Sequence, residues 1–251
     1  MTLQSESNPI IQDEFPFHNP LTQGRNSLDR TRLVEAFPDL QLCSKQHFLA
    51  LRRYLDQQPE RFFDKTTYDI YLNWLQKRDA SNSEALMEHL SQFNDEINRA
   101  LLSLREINSE KWHDKQLIMT DEYELIRFVD RQVHRAYLRL SESVLVPLSR
   151  IIAHFSRLDR GKETDGLDAW SIMEELKEGP MDHIFQSYRH IIRNGIGHGG
   201  ITFLNNEIRY RDKKGNEEVF HTKTVVRLFD SLLDTCNGLA AAIKLGAVPD
   251  N

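Results

Sequence analysis

Arg193, Asn194 and His198 stand together in a stretch otherwise poor in side chains, Arg193-Asn194-Gly195-Ile196-Gly197-His198-Gly199-Gly200. Their types make a chemical set. An imidazole takes or gives a proton near neutral pH. A guanidinium keeps its charge and holds an oxyanion through two parallel hydrogen bonds. A carboxamide donates and accepts, so it can fix the imidazole or a hydroxyl of a ligand. Such a set suits proton transfer beside a bound anion. Glycine is poorly tolerated inside a helix, so the four glycines imply close approach to the backbone or a tight turn. A plainer alternative is that Arg193 and Asn194 only end a helix and His198 occupies a turn.

The surrounding pattern shows which elements must position this set. Ile184, Phe185, Tyr188, Ile191 and Ile192 are spaced as one apolar face, which predicts a motif helix over residues 181–194. Beyond the glycines, Ile201-Thr202-Phe203-Leu204 and Glu207-Ile208-Arg209-Tyr210 flank Asn205-Asn206, the pattern of a tight hairpin. Lys214-Gly215-Asn216 turns toward a third short strand over 217–221. Thr222 then caps a last helix that reaches about residue 245, with Val225, Phe229, Leu232, Leu239 and Ile243 inward.

Upstream, Ser81-Asn82-Ser83-Glu84 starts a helix to about residue 107, with Leu86, Leu90, Phe93, Ile97, Leu101 and Leu104 on its apolar side. Thr120 is the N-cap expected for a helix to about residue 157, kinked at Pro147. A short helix over 170–178 ends at Gly179-Pro180. Phe62, Phe63, Tyr68, Tyr71 and Trp74 have helical spacing and read as core. Residues 1–27 read as a loose arm anchored by Phe15 and Phe17, followed by short helices from Ser27 and Ser44. The expected fold is therefore all-α, with one small β-hairpin between the last two helices. Its divisions are an arm over 1–27, a helical N-terminal extension over 28–80 and a helical bundle over 81–247.

Arg-Asn-x-x-x-His after an amphipathic helix, followed by glycine, resembles the signature of the HEPN superfamily, with Arg193, Asn194 and His198 at the motif positions. The resemblance covers the C-terminal half to two thirds of the chain. It implies a HEPN-like helical bundle acting as a homodimer and a metal-independent endoribonuclease with RNA as substrate. His198 would be general acid or base, Arg193 would hold the phosphate and Asn194 would orient, with two motifs meeting across the dimer. The glycines would give a nucleotide room. The resemblance also implies a toxin, antiviral or stress-defence setting, with an antitoxin or other protein partner, and no cofactor or metal. The family contains members without activity, so a non-catalytic RNA-binding or protein-interaction module is the other reading. Some toxin members carry a modifiable tyrosine two residues after the histidine. Here that position is Gly200, so that form of regulation is not expected.

Other basic residues extend the set. Arg127, Arg131, Arg135 and Arg139 recur every four residues and would form one ridge along a helix, with His134 beside them. Such a ridge tracks an RNA backbone, or it pairs with Asp121, Glu122, Glu124 and Asp130 as a solvated face. Arg189 lies one turn before Arg193 and is a second phosphate contact by spacing; His190 carries less weight. Arg150 and His154 form a loose pair of the kind that arises by chance.

Composition limits the alternatives. A net charge of −6 argues against indiscriminate binding to nucleic acid, so an RNA site must be a local basic patch. Cys43 and Cys236 are far apart and lack metal-ligand spacing, which favours a reducing, cytoplasmic compartment. The opening residues lack the basic and apolar regions of a signal peptide. No apolar run is long enough to span a membrane.

Overall fold

The periodic apolar runs fold as a mostly helical structure with a small antiparallel sheet. The computed structural model describes residues 64–108, 110 and 121–246. Its helices are α1 (Lys65–Gln92), α2 (Asn94–Asn108), α3 (Glu122–Phe128), α4 (His134–Leu140), α5 (Val146–Asp159), α6 (Ala169–Leu176), α7 (His190–His198) and α8 (Thr222–Gly246). Strands β1 (Ile201–Leu204), β2 (Glu207–Arg211) and β3 (Glu217–His221) lie between α7 and α8 in the order β1-β2-β3. The expected arm, the helices from Ser27 and Ser44, Phe62, Phe63 and Cys43 lie outside the described residues.

Local chemistry explains several boundaries. Asn82 has an extended backbone, φ −159° and ψ 78°, and its side-chain oxygen accepts the Ala85 N–H at 3.0 Å. It thus caps the second half of α1, as the Ser-Asn-Ser-Glu run predicts. The N-cap of α3 is Asp121, whose carboxylate accepts from the Tyr123 and Glu124 N–H groups. The expected cap, Thr120, is outside the described residues. α3, α4 and α5 continue into one another through π turns at Val129–Val133 and Ser141–Leu145. In the second turn the Val146 N–H reaches back to Ser141 O. Pro147, which has no N–H to donate, follows this irregular turn and is buried at the start of α5.

The described helices share one core. Tyr71, Leu104, Tyr137, Leu148, Phe155 and Phe229 are fully buried, and each such side chain contributes about 1.5–3 kcal/mol of transfer free energy. Tyr68, Tyr71 and Leu75, from the expected extension, pack in this core with residues of α2, α5 and α8. Tyr71 donates its hydroxyl to Leu148 O at 2.7 Å, which joins α1 to α5. Thr222 begins α8 but donates its hydroxyl to Asn206 O at 2.7 Å, pinning the hairpin turn to the last helix. Asn205 adopts a positive φ of 50° in that turn, as its type permits.

The expected motif helix over 181–194 divides into two pieces. Pro180–Phe185 forms a 3-10 turn, and α7 begins only at His190 and continues through Gly195 and Gly197 to His198. Tertiary partners permit the break. Tyr137 Oη accepts the Arg189 N–H at 2.7 Å, while the Arg189 guanidinium takes Gln186 O and Tyr188 O. Backbone groups that a continuous helix would satisfy are satisfied here by side chains.

Candidate active site

On α7, residues four apart share a face, so His190, Asn194 and His198 line up. All three border a cleft of about 580 Å³ together with Ile191. Trp170 of α6 extends this wall. The turn between β2 and β3 faces it with Asp212, Lys213, Lys214 and Asn216, joined by Glu218 of β3. His198 is exposed, at the last position of α7.

The end of α7 explains the glycines. The Gly200 N–H donates to Gly195 O at 2.8 Å and the Gly199 N–H to Ile196 O at 3.3 Å, with Gly199 left-handed at φ 70°. This is a Schellman closure, which favours glycine. A Cβ on Gly200 would lie 2.1 Å from Arg211 O, because residue 200 pairs directly with β2. The Arg211 N–H also donates to Gly200 O at 2.8 Å. A Cβ on Gly195 would sit 3.0 Å from Tyr210. Gly195 and Gly200 thus serve close packing within the chain and Gly199 its left-handed turn, as the expected close approach or tight turn requires. Gly197 is exposed and has only Leu138 near its Cβ position, at 4.0 Å.

Arg193 projects elsewhere. Its Nη2 ion-pairs with Glu142 Oε1 at 2.5 Å, and its Nη1 donates to Asn194 Oδ1 at 2.8 Å. Glu142 lies within the second π turn, so an irregularity in the long helical run supplies the arginine's partner. With its oxygen occupied by Arg193, Asn194 retains its N–H groups as donors beside the cleft. Arg193 is outside the cleft lining.

Burial holds the His190 imidazole below its ordinary range, and Arg193 adds to this; Asp168 and Asp212 pull the other way. Its Nδ1 lies 3.3 Å from Tyr188 Oη, and burial pushes the Tyr188 phenol up to about 12. Asp212 is held below the usual carboxylate range, first by the Asn216 side chain and then by N–H groups of its own turn. Its Oδ1 accepts from the Lys214 and Asn216 N–H groups and its Oδ2 from Asn216 Nδ2, all within 2.9 Å.

The remaining basic residues are spread over the molecule. Arg189 caps the turn before α7. Arg127 pairs with Glu124 at 2.8 Å, and Arg139 pairs with Glu106 across to α2. Arg131 and Arg135 are exposed. None of these five borders the cleft. His134 does not stand beside the ridge: it is buried, with Nε2 2.7 Å from Tyr210 Oη. The π turn at Val129–Val133 interrupts the regular helical phase on which the ridge depended. Arg150 is held by both oxygens of Glu96, at 2.7 and 2.6 Å, and His154 lies against His89 with the rings tilted by 36°.

Trp170, Lys213 and Lys214 join the site without having been singled out in the sequence. Trp170 is 47% exposed, unusual for so large an apolar side chain and visible only once burial is known. Lys214 opens the predicted Lys-Gly-Asn turn and Lys213 precedes it, but their position opposite α7 depends on how the sheet docks. Among the described residues, no group of three or more His, Cys, Asp or Glu side chains is arranged to hold a metal ion. No described helix is long and apolar enough to cross a membrane. Comparison of the chain with protein-family models, with curated proteins and with solved structures finds no match.

Proposed function

We propose that this chain is a metal-independent endoribonuclease of the HEPN type, acting as a homodimer within a toxin, antiviral or stress-defence system. The observation that carries the reading is the shared face of α7, where His198 and Asn194 border one cleft opposite Lys213 and Lys214. RNA supplies its own nucleophile. The ribose O2′ attacks the adjacent phosphorus, the P–O5′ bond breaks and the leaving oxygen takes a proton. His198 accepts the proton from O2′ or gives one to O5′. Two copies would supply one histidine for each transfer. Asn194, fixed by Arg193, donates to the ribose or to a phosphate oxygen. The lysines attract the backbone locally in a chain whose net charge is −6.

A second reading is a non-catalytic module that binds RNA or a protein such as an antitoxin. The Arg193–Glu142 ion pair favours it, since an arginine already held by a carboxylate must exchange partners before gripping a phosphate. The exposure of His198 favours the enzyme.

RNA cleavage in EDTA separates them, using wild type, His198→Ala and Arg193→Ala after folding and dimerisation are checked. The nuclease reading expects wild-type cleavage and a loss of about 10²–10⁴-fold in His198→Ala, the usual contribution of an acid–base group. Arg193→Ala also loses activity. Cleavage that survives both substitutions refutes the assigned site. RNA binding without cleavage by wild type favours the module.

A further inference from the structure

We infer that the wall formed by Trp170 and His190 is a base-stacking subsite, so that the cleft takes single-stranded RNA. The inference rests on the ribonuclease reading and adds the form of RNA that the site accepts.

Trp170 lies on α6, which Asp168 caps by accepting the Ser171 N–H at 2.8 Å. Its ring is 5.0 Å from that of His190 between centroids, at an interplanar angle of 56°. Trp170 borders the cleft, and nearly half of its surface is exposed. An indole face stacks on any base, because every base has a π face. Lys213 and Lys214 stand across the cleft, where a backbone running past the stacked base would pass. Asp212 competes weakly for these ammonium groups, since both its oxygens already accept from N–H donors of the turn. Glu218 is the remaining carboxylate on the lining.

Spacing sets the RNA form. His190 and His198 are eight residues apart, about 12 Å along the axis of α7. Bases in an A-form RNA duplex have their faces covered by stacked neighbours. An indole cannot enter that stack without unstacking it. A single strand can lay one base on Trp170 and still extend along α7 to bring a neighbouring phosphate to His198.

The test is fluorescence anisotropy in EDTA with a labelled, 2′-O-methylated twelve-nucleotide RNA, which binds but cannot be cut, and with its duplex. Trp170→Ala should weaken single-strand binding by about ten- to a hundredfold. Trp170→Phe, which keeps a smaller ring, should retain most of the affinity and show that the exposed position tolerates change. The duplex should bind weakly and equally to all three proteins. Lys213→Gln with Lys214→Gln should lower the salt slope by about 1.4, at about 0.7 per phosphate contact on a single strand. Unchanged binding by Trp170→Ala, a loss shared by the duplex, or no binding by wild type overturns the subsite. Failure of the nuclease reading looks different: His198-independent or absent cleavage alongside Trp170-dependent binding leaves the subsite standing. Conversely, His198-dependent cleavage with Trp170-independent binding removes the subsite alone.

Discussion

Acid should loosen the strand behind the motif helix through one side chain, His134. This imidazole is buried beside Tyr210. Burial pushes its pKa down from the ordinary 6.5 to about 4, against the pull of Asp130, whose Oδ1 is 3.9 Å from Nδ1. A folded-state value below the unfolded one means that the unfolded chain binds a proton the folded chain refuses. The contribution to stability is therefore complete above 6.5 and is lost as pH falls from there toward about 4. pH 5 lies about 1.5 units below the ordinary value, so the unfolded histidine is protonated there while the folded one remains mostly neutral. At about 1.4 kcal/mol per unit, His134 alone accounts for about 2 kcal/mol of lost stability between pH 7.5 and pH 5. The double substitution His134→Leu with Tyr210→Phe removes both polar partners, which costs little at neutral pH. It keeps the Tyr210 ring carbons that pack near Gly195. Urea unfolding of both proteins at the two pH values gives the comparison, and the double variant should lose about 2 kcal/mol less than wild type. Equal losses would show that His134 is protonated as readily when folded as when unfolded, and would refute the reasoning.

Two further outcomes test the frame of the site. Gly200→Ala places a methyl group 2.1 Å from Arg211 O, so it should cost at least about 2 kcal/mol of stability; a urea midpoint unchanged from wild type would deny the close approach. Glu142→Gln removes the carboxylate that holds Arg193. Affinity for a non-cleavable single-stranded RNA should then rise several-fold at low salt and converge on wild type as salt screens the difference, whereas equal affinities at low salt would mean that Arg193 does not reach the RNA backbone.

Asn194 and His198 were singled out by residue type, but the helix was expected to end at residue 194; it runs on through Gly195 and Gly197 to His198, and only that puts the two on one face. The helical runs, the two-residue hairpin turn and the start signal at Asn82 were legible because each depends on neighbours in sequence. Arg193 shows where that information ends. Its partner, Glu142, is remote in sequence, and its aim depends on a π turn with no local signature. The glycines announced a close approach or a tight turn, but not that Gly195 and Gly200 meet Tyr210 and the Arg211 carbonyl, which lie on β2. The apolar face over 184–192 suggested a continuous helix, but Tyr137 and the Arg189 guanidinium satisfy the backbone at the interruption. Trp170 had no signal in the sequence beyond opening a short helix; its exposure at the cleft depends on tertiary placement.

The way Gly200 joins α7 to β2 has a consequence for change over evolutionary time. The motif wall and the opposite wall share that tight seam, so few substitutions there could shift one wall without spoiling the other. The Lys213–Asn216 turn begins just past that seam, beyond the last β2–β3 pair, Arg211 with Glu217. Its length and charge can vary while the register of β2 against β3 is kept. New ligand preferences would therefore arise most readily by exchanging that tip, with the histidine wall inherited intact. Grafting alternative turns between Arg211 and Glu217 is accordingly the natural route to redesigning what the cleft accepts.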